Sequence, residues 1–222
     1  MYKSILYKEW VKTGRLVGIL FLVLMAVISY VFILNSQQLR MSGAVNVWET
    51  VITQDLPLVA SLKWLPLLLS ILLSLAQFVP EMQSRRLKLT LHLPMNDMSI
   101  MLTMLGYGLL ILLLSFALTV AIIAVGFHAW FAPELIANSV WQLAPWFLAS
   151  FVGYALTAWV CLEPTWRQRL LNTLIAVGIL SIFFVPSFST GYQFFLPILV
   201  LLSLISFLFP FFSVARFKEG AH

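Results

Sequence analysis

Residues 98–127 read MSIMLTMLGYGLLILLLSFALTVAIIAVGF, with no acidic, basic or histidine side chain. Roughly 20 apolar residues in an α-helix cross the hydrocarbon core of a bilayer, so this stretch predicts a spanning helix that tilts or projects beyond the membrane. The whole chain has the same character, because 62% of its 222 residues are hydrophobic and 9% are charged, against about 25% charged in soluble domains. Its apolar runs are continuous, unlike the alternating segments of transmembrane β-barrels. The composition therefore predicts an all-α integral membrane protein.

Six stretches are long and apolar enough to span, and together they predict a single transmembrane domain over 1–222. The predicted spans are residues 16–34, 58–79, 98–127, 141–162, 171–188 and 194–213. The first apolar run is too long for a signal-peptide core and no small-residue cleavage motif follows it, so we expect it to remain as a span.

The basic residues set the predicted orientation. Eleven of the 13 Lys and Arg residues lie in the N-terminal segment, in the loops after the second and fourth spans, and in the tail, whereas Arg40 and Lys63 lie on the other side. Because cytoplasmic loops carry an excess of Lys and Arg, we predict a multi-pass protein of the cell's inner (cytoplasmic) membrane with both termini cytoplasmic. The net charge of +5 is thereby assigned to the membrane surface and not to nucleic acid.

Two segments outside the spans have helical patterns. Residues 1–15 predict a basic amphipathic interfacial helix that runs into the first span, and an ordinary positively charged flank is the alternative. Its apolar face would contain Tyr2, Ile5, Leu6, Trp10 and Thr13, and its charged positions are Lys3, Lys8, Glu9, Lys12 and Arg15. Residues 44–52 predict a second interfacial helix on the opposite face of the membrane.

The longest polar interruption is PEMQSRRLKLTLHLPMND at residues 80–97. Its alternating leucines are typical of a strand, but a solitary strand would leave backbone groups unpaired at the membrane surface. A helix instead gathers one polar stripe, made of Glu81, Arg85, Lys88 and His92. Pro94 would end this helix, and Asn96 or Asp97 would cap the third span.

This segment resembles the one that follows the second span in permeases of type-2 ATP-binding-cassette (ABC) exporters. The family pattern is a glutamate, a leucine-rich stretch and a leucine-proline pair, here running from Glu81 to Pro94, with Arg85-Arg86 where the family often has glycine-threonine. The layout is similar as well: six spans, cytoplasmic termini, and a basic amphipathic helix (ILYKEWVKTGR) before the first span.

The resemblance implies that residues 80–97 form a cytoplasmic coupling helix, which inserts into a separate ATPase subunit. The docking residues would be Glu81, Arg85, Arg86, Lys88 and His92, with a smaller contact through Glu163, Arg167 and Arg169 in the second cytoplasmic loop. The alternatives are a solvated polar loop for the first segment and a positively charged topology signal for the second. Two ATPase copies, which would hold ATP and Mg, and a second identical or paralogous permease subunit would complete the exporter.

The sequence lacks the residues that other membrane functions require. The spans have no central ionisable residue of the kind that binds a coupling ion, one Cys and three His do not build a metal site, and no P-loop motif is present. We therefore expect neither an enzyme nor a cofactor in this chain. The alternative to an exporter subunit is a membrane assembly or structural subunit without transport of its own.

Hydroxyl side chains within the spans are the candidates for lining a transport pathway at a dimer interface. They are Tyr107, Ser115, Thr119, Tyr154 and Thr157, and such a lining favours a lipid-like, hydrophobic or peptide cargo over an ion. Small residues that permit close helix packing, either within the chain or between subunits, are Ser70 with Ser74 and Ala149 with Gly153.

Overall fold

The computed structural model describes residues 2–53, 58–83, 96–185, 192 and 194–218. Its helices are α1 (Tyr2–Thr53), α2 (Leu65–Gln83), α3 (Asp97–Phe127), α4 (Pro133–Leu162), α5 (Trp166–Ser181), α6 (Leu196–Ser206) and α7 (Phe209–Lys218), with single 3₁₀ turns at Ala60–Leu62 and Ile182–Phe184. Within this part of the chain there is no strand, and the all-α prediction is confirmed.

Six helical segments of the described chain are long and apolar enough to cross a membrane, which agrees with the predicted number. They are Tyr2–Gly43, Ala60–Gln83, Asp97–Phe127, Pro133–Leu162, Trp166–Phe184 and Leu196–Phe217. The boundaries differ most for the first span, predicted as residues 16–34, and next for α4, which begins at Pro133 and not at residue 141. Proline at the first helical position and Glu134 in the first turn both favour a helix start there.

The predicted interfacial helix of residues 1–15 is not a separate element. It forms the first turns of α1, which continues without a break through the first span to Gly43. Gly43 has φ 76° and ψ 154°, a conformation that glycine adopts at little cost, and it kinks α1 between the long first part and the last turns, which end at Thr53. These last turns agree with the helical pattern of residues 44–52, while their place at the membrane surface stays a prediction.

The start of α3 follows its predicted signal. Asn96 is the cap, and its Oδ1 accepts a hydrogen bond from the backbone N–H of Met98 at 3.1 Å. Side chains of this type satisfy N–H groups that have no partner in the first helical turn. Residues 84–95, which contain most of the predicted coupling helix, lie outside the described residues.

Helix α4 is the centre of the bundle and packs against α2, α3, α5, α6 and α7. Its contact with α2 is the most extensive and includes small residues, because Ser70, Ser74 and Gly153 are all buried. A Cβ atom on Gly153 would lie 2.5 Å from Cδ1 of Leu67 and 3.3 Å from Oγ of Ser70. These small residues therefore pack α2 against α4 within one chain, whereas Ala149 belongs to a buried cluster with Ala176 of α5 and Leu199 of α6.

Lys8, Lys12 and Arg216 lie at one end of the bundle, where α1 and α3 begin and α2 and α4 end. There Ile5, Phe78, Ile100, Leu162 and Val214 belong to one buried apolar cluster. We call this the basic end. A second cluster at the opposite end joins the middle of α1 to the end of α3 and the start of α4. The first four helices thus run alternately up and down, as a multi-pass arrangement requires.

Candidate functional site

Two carboxylates are completely buried at the basic end. Glu9 of α1 and Glu81 of α2 are each 0% exposed. Lys12 Nζ lies 2.8 Å from Glu9 Oε2 and 2.9 Å from Glu81 Oε1, while Lys8 Nζ lies 3.1 Å from Glu81 Oε1 and 3.8 Å from Glu9 Oε1. These four residues, the α1–α2 ion cluster, carry no net charge, which is the condition under which buried charges are tolerated.

Lys12 is the central cation of this cluster. Its side chain is 12% exposed, against 38% for Lys8, and it contacts both carboxylates at short range. It donates a hydrogen bond to Glu9 Oε1 at 3.0 Å, whereas Glu9 Oε2, although close to the same ammonium, accepts no hydrogen bond within the described chain.

The sequence places Glu9 in the interior through helical spacing. Ile5, Glu9 and Thr13 are four residues apart and form one stripe of α1, and all three are buried. Other residues of the predicted apolar face point outward, with Leu6 40% and Trp10 55% exposed. The face of α1 that packs against the protein is therefore a mixed stripe that includes Glu9, and not the predicted apolar face as a whole.

Thr13 connects the ion cluster to α3. Its hydroxyl donates to the backbone oxygen of Glu9 at 2.8 Å and shares a hydrogen bond of 2.7 Å with the hydroxyl of Tyr107. Because the single hydroxyl proton of Thr13 is used on the backbone, Tyr107 is the donor in the second bond. The cluster thus reaches three helices through polar contacts.

A second polar layer lies one turn deeper in the bundle. Gln77 Nε2 donates to the backbone oxygen of Met104 at 2.7 Å, and its Oε1 accepts from the hydroxyl of Tyr154 at 2.6 Å. Ser74 donates to the backbone oxygen of Tyr154 at 2.9 Å. Gly108 makes room for this arrangement, since a Cβ atom there would overlap the Tyr154 hydroxyl. The layer ties α2 to both α3 and α4.

Glu163 anchors a further buried cluster, at the end of α4. Its side chain is 1% exposed; Ser213 donates to Oε2 at 2.7 Å, Arg216 approaches Oε1 at 3.5 Å, and Asn172 approaches Oε2 at 3.5 Å. Arg169 donates to the backbone oxygen of Glu163 at 2.7 Å. This carboxylate therefore holds α4, α5 and α7 together at the basic end.

The predicted docking residues have different positions. Glu81 is buried against α1, so its carboxylate faces the interior of the bundle. In the second loop, Glu163 is likewise buried, Arg169 is half-buried and Arg167 is exposed. Four further residues lie outside the described residues, and their docking role stays a prediction: Arg85, Arg86, Lys88 and His92.

The predicted pathway residues are not gathered on one surface. Tyr107, Thr119 and Tyr154 are buried within the bundle. Ser115 lines a cavity of about 20 Å³ between α1, α2 and α3, which has room for about one water molecule, and Thr157 is half-buried on α4. Their role in a pathway stays a prediction.

Sequence reasoning missed the burial of Glu9 and the contacts of Gln77, Asn172 and Ser213. The sequence signal for the burial of Glu9 was its four-residue spacing from both Ile5 and Thr13, which places the three residues on one face of a helix. Within the described part of the chain, no group of three or more His, Cys, Asp or Glu residues is placed to hold a metal ion. In comparisons with protein-family models, curated proteins and solved structures, nothing matches this chain.

Proposed function

We propose that this chain is the membrane-spanning subunit of an ATP-driven exporter of the ABC class, coupled to separate ATPase subunits. The observation that carries the proposal is Glu81, which lies in the last turn of α2, shortly before the 84–95 loop, and is paired with Lys8 and Lys12 of α1. The loop that resembles a coupling helix thus leaves the bundle from a buried ionic anchor. Six candidate spans support a chain that forms half of a dimeric pathway.

The polar layers give a route by which movement of the loop reaches the spans. The 84–95 loop connects the end of α2 to the start of α3, so a displacement of the loop would act first on these two helices. The ion pair between Glu81 and Lys12 would transmit the displacement to α1. The hydrogen bond between Gln77 and Tyr154 would transmit it to α4. Separating a buried ion pair is costly because it leaves an uncompensated charge. The basic ends of these helices should therefore move together.

In this proposal the basic end faces the cytoplasm of the cell, at the inner membrane. Two ATPase subunits bind ATP and Mg and dock against the 84–95 loop of each permease subunit, and the second permease subunit is an identical or paralogous chain. Closure of the ATPases on ATP would displace the loops and open the pathway between the subunits to alternate sides. Hydrolysis belongs to the partner, and this chain supplies the pathway and the coupling surface.

Co-purification tests the proposal. The tagged chain, extracted in mild detergent from the cells that produce it, should bring down a protein with a P-loop and ATPase activity. Charge reversal by Arg85→Glu with Lys88→Glu should abolish that association, while the matched pair Arg40→Glu with Lys63→Glu, on the predicted opposite face, should retain it. A stable complex without an ATPase would favour an assembly or structural subunit, and retention of the ATPase after reversal at residues 85 and 88 would contradict the docking surface.

A further inference from the structure

Two cavities lie along α4 between α2 and α5, and we call them together the cleft. One half of the cleft has a volume of about 500 Å³, and its lining includes Leu67 and Ile71 of α2, Val177 and Leu180 of α5, and the adjoining residues Trp64 and Phe184. The half nearer the basic end has a volume of about 450 Å³, and its lining includes Leu75, Val79, Met82, Val160, Cys161 and Arg169.

The two halves follow a single face of α2. Their lining residues from Trp64 to Met82 recur every three or four positions, which is the spacing of one helical stripe. At about 1.5 Å per residue this stripe is about 27 Å long, close to the roughly 30 Å of bilayer hydrocarbon. Val177 on the rim is 61% exposed and Val185 is 74% exposed. The two cavities therefore have exposed residues at their rim, and the α2 stripe that lines them is about as long as the hydrocarbon core is thick.

Arg169 gives the cleft a positive charge at the basic end. One guanidinium nitrogen donates to the backbone oxygen of Glu163, but the carboxylate of Glu163 is paired with Ser213 and Arg216. In the part of the chain that the structure describes, Arg169 has no ion-pair partner, and its Nε is buried without a hydrogen-bond partner. A guanidinium presents five N–H donors in a planar fork that matches a phosphate.

We propose that this cleft binds an anionic phospholipid, with its phosphate at Arg169 and one acyl chain along α2 from Met82 to Ile71. The apolar stripe suits the acyl chain, and the guanidinium, which lies over the Trp166 ring but has no ion-pair partner among the described residues, favours an anionic headgroup. A helix from a second copy would cover Arg169 without supplying a counter-charge unless it brought a carboxylate, and burying an unpaired charge is costly. Lipid binding itself needs no ATPase. If the bound lipid is also the cargo, the cargo is an anionic amphiphile, and that conclusion rests on the proposed exporter function.

Native mass spectrometry of the purified full chain tests the binding, with phosphatidylglycerol and phosphatidylcholine as the two probes. The chain should retain phosphatidylglycerol in preference, and Arg169→Gln should weaken that binding about tenfold, because charge-assisted bonds to phosphate are lost. Arg167→Gln removes the same charge from an exposed neighbour outside the cleft lining and should leave binding unchanged. Equal retention of both lipids, or equal losses in the two variants, would overturn the site.

The unmodified chain offers a second readout that does not depend on a variant folding. Cys161 is its only cysteine and lines the cleft beside Arg169, so phosphatidylglycerol should slow its reaction with a thiol reagent more than phosphatidylcholine does. Leu75→Trp should narrow the cleft and remove this protection, while Leu72→Trp, at an exposed α2 position outside the cleft lining, should keep it. If phosphatidylglycerol protects Cys161 from the thiol reagent no more than phosphatidylcholine does, or if dimerisation alone protects it, lipid is not the occupant of the cleft. Neither result affects ATPase co-purification, so failure of this site and failure of the exporter proposal are distinguishable.

Discussion

Replacing Lys12 with glutamine should destabilise the protein more than any other single change in the α1–α2 ion cluster. Lys12 lies within 3 Å of both buried carboxylates, and the substitution leaves them with Lys8 alone, which is more exposed and more distant from Glu9. Removing one partner of a buried pair costs about 3–5 kcal/mol. Because Lys8 still compensates Glu81, we expect a loss of about 3 kcal/mol in the free energy of unfolding.

The other cluster positions give graded expectations. Glu81→Gln leaves Lys12 paired with Glu9 and a partly exposed Lys8, so its cost should be smaller than that of Lys12→Gln. Lys8→Gln removes a partly exposed cation and should cost about 0–1 kcal/mol. The double variant Glu9→Gln with Lys12→Gln restores neutrality with one remaining pair, and it should recover part of the stability that Lys12→Gln loses.

Reversible unfolding in mixed micelles measures these differences. The eight tryptophans provide the fluorescence signal while the fraction of denaturing detergent is raised. The expected order of stability loss is Lys12→Gln, then Glu81→Gln, then Lys8→Gln. Equal losses at Lys8 and Lys12, or a double variant less stable than Lys12→Gln, would refute the reasoning, because either result would mean that charge compensation does not govern this cluster.

Two further predictions use the same unfolding measurement. Gly108→Ala should cost about 1–3 kcal/mol, because its Cβ would overlap the buried hydroxyl of Tyr154 and force the helices to shift. The control Gly106→Ala places its Cβ where no atom lies within 4 Å, so it should stabilise the helix by up to about 1 kcal/mol. Equal effects of the two substitutions would contradict the packing around α3. Ser213→Ala should cost about 1.5–3 kcal/mol, because it removes a 2.7 Å hydrogen bond to buried Glu163. Ser203→Ala, which loses only a bond to its own helix, should be nearly neutral, so a comparable loss there would argue against the special role of Ser213.

The spans could be predicted because a bilayer requires long apolar helices, and each such helix is recognisable from its own continuous stretch of sequence. Residues 98–127 and the Asn96 cap are examples, since both signals lie within one helix. The early start of α4 was also visible, because Pro133 is the kind of residue that opens a helix. The persistence of α1 beyond residue 34 was not, since polar residues do not stop a helix and Gly43 is the first position that breaks it.

The buried clusters could not be predicted from local patterns. Glu9 and Glu81 are far apart in the chain, and a polar helical stripe looks the same whether it faces water or a matching stripe on another helix. Gly106 and Gly108 differ in the same way, since only the position of Tyr154 on α4 makes one of them essential for packing. The burial of Glu9 and Glu81 and the role of Gly108 depend on which helices pack together. The periodicity of a single helix does not show which helices these are.

The proposed coupling of the 84–95 loop to an ATPase is tested most directly by photo-cross-linking from residue 88. Lys88→Cys in a Cys161→Ser background, labelled with a thiol-specific photo-cross-linker in native membranes, should form an adduct with a P-loop ATPase, and ATP should change its yield. The same label at Arg40→Cys, on the predicted opposite face, should form none. An adduct of equal yield from both positions, or no ATPase adduct from residue 88, would contradict the proposed function.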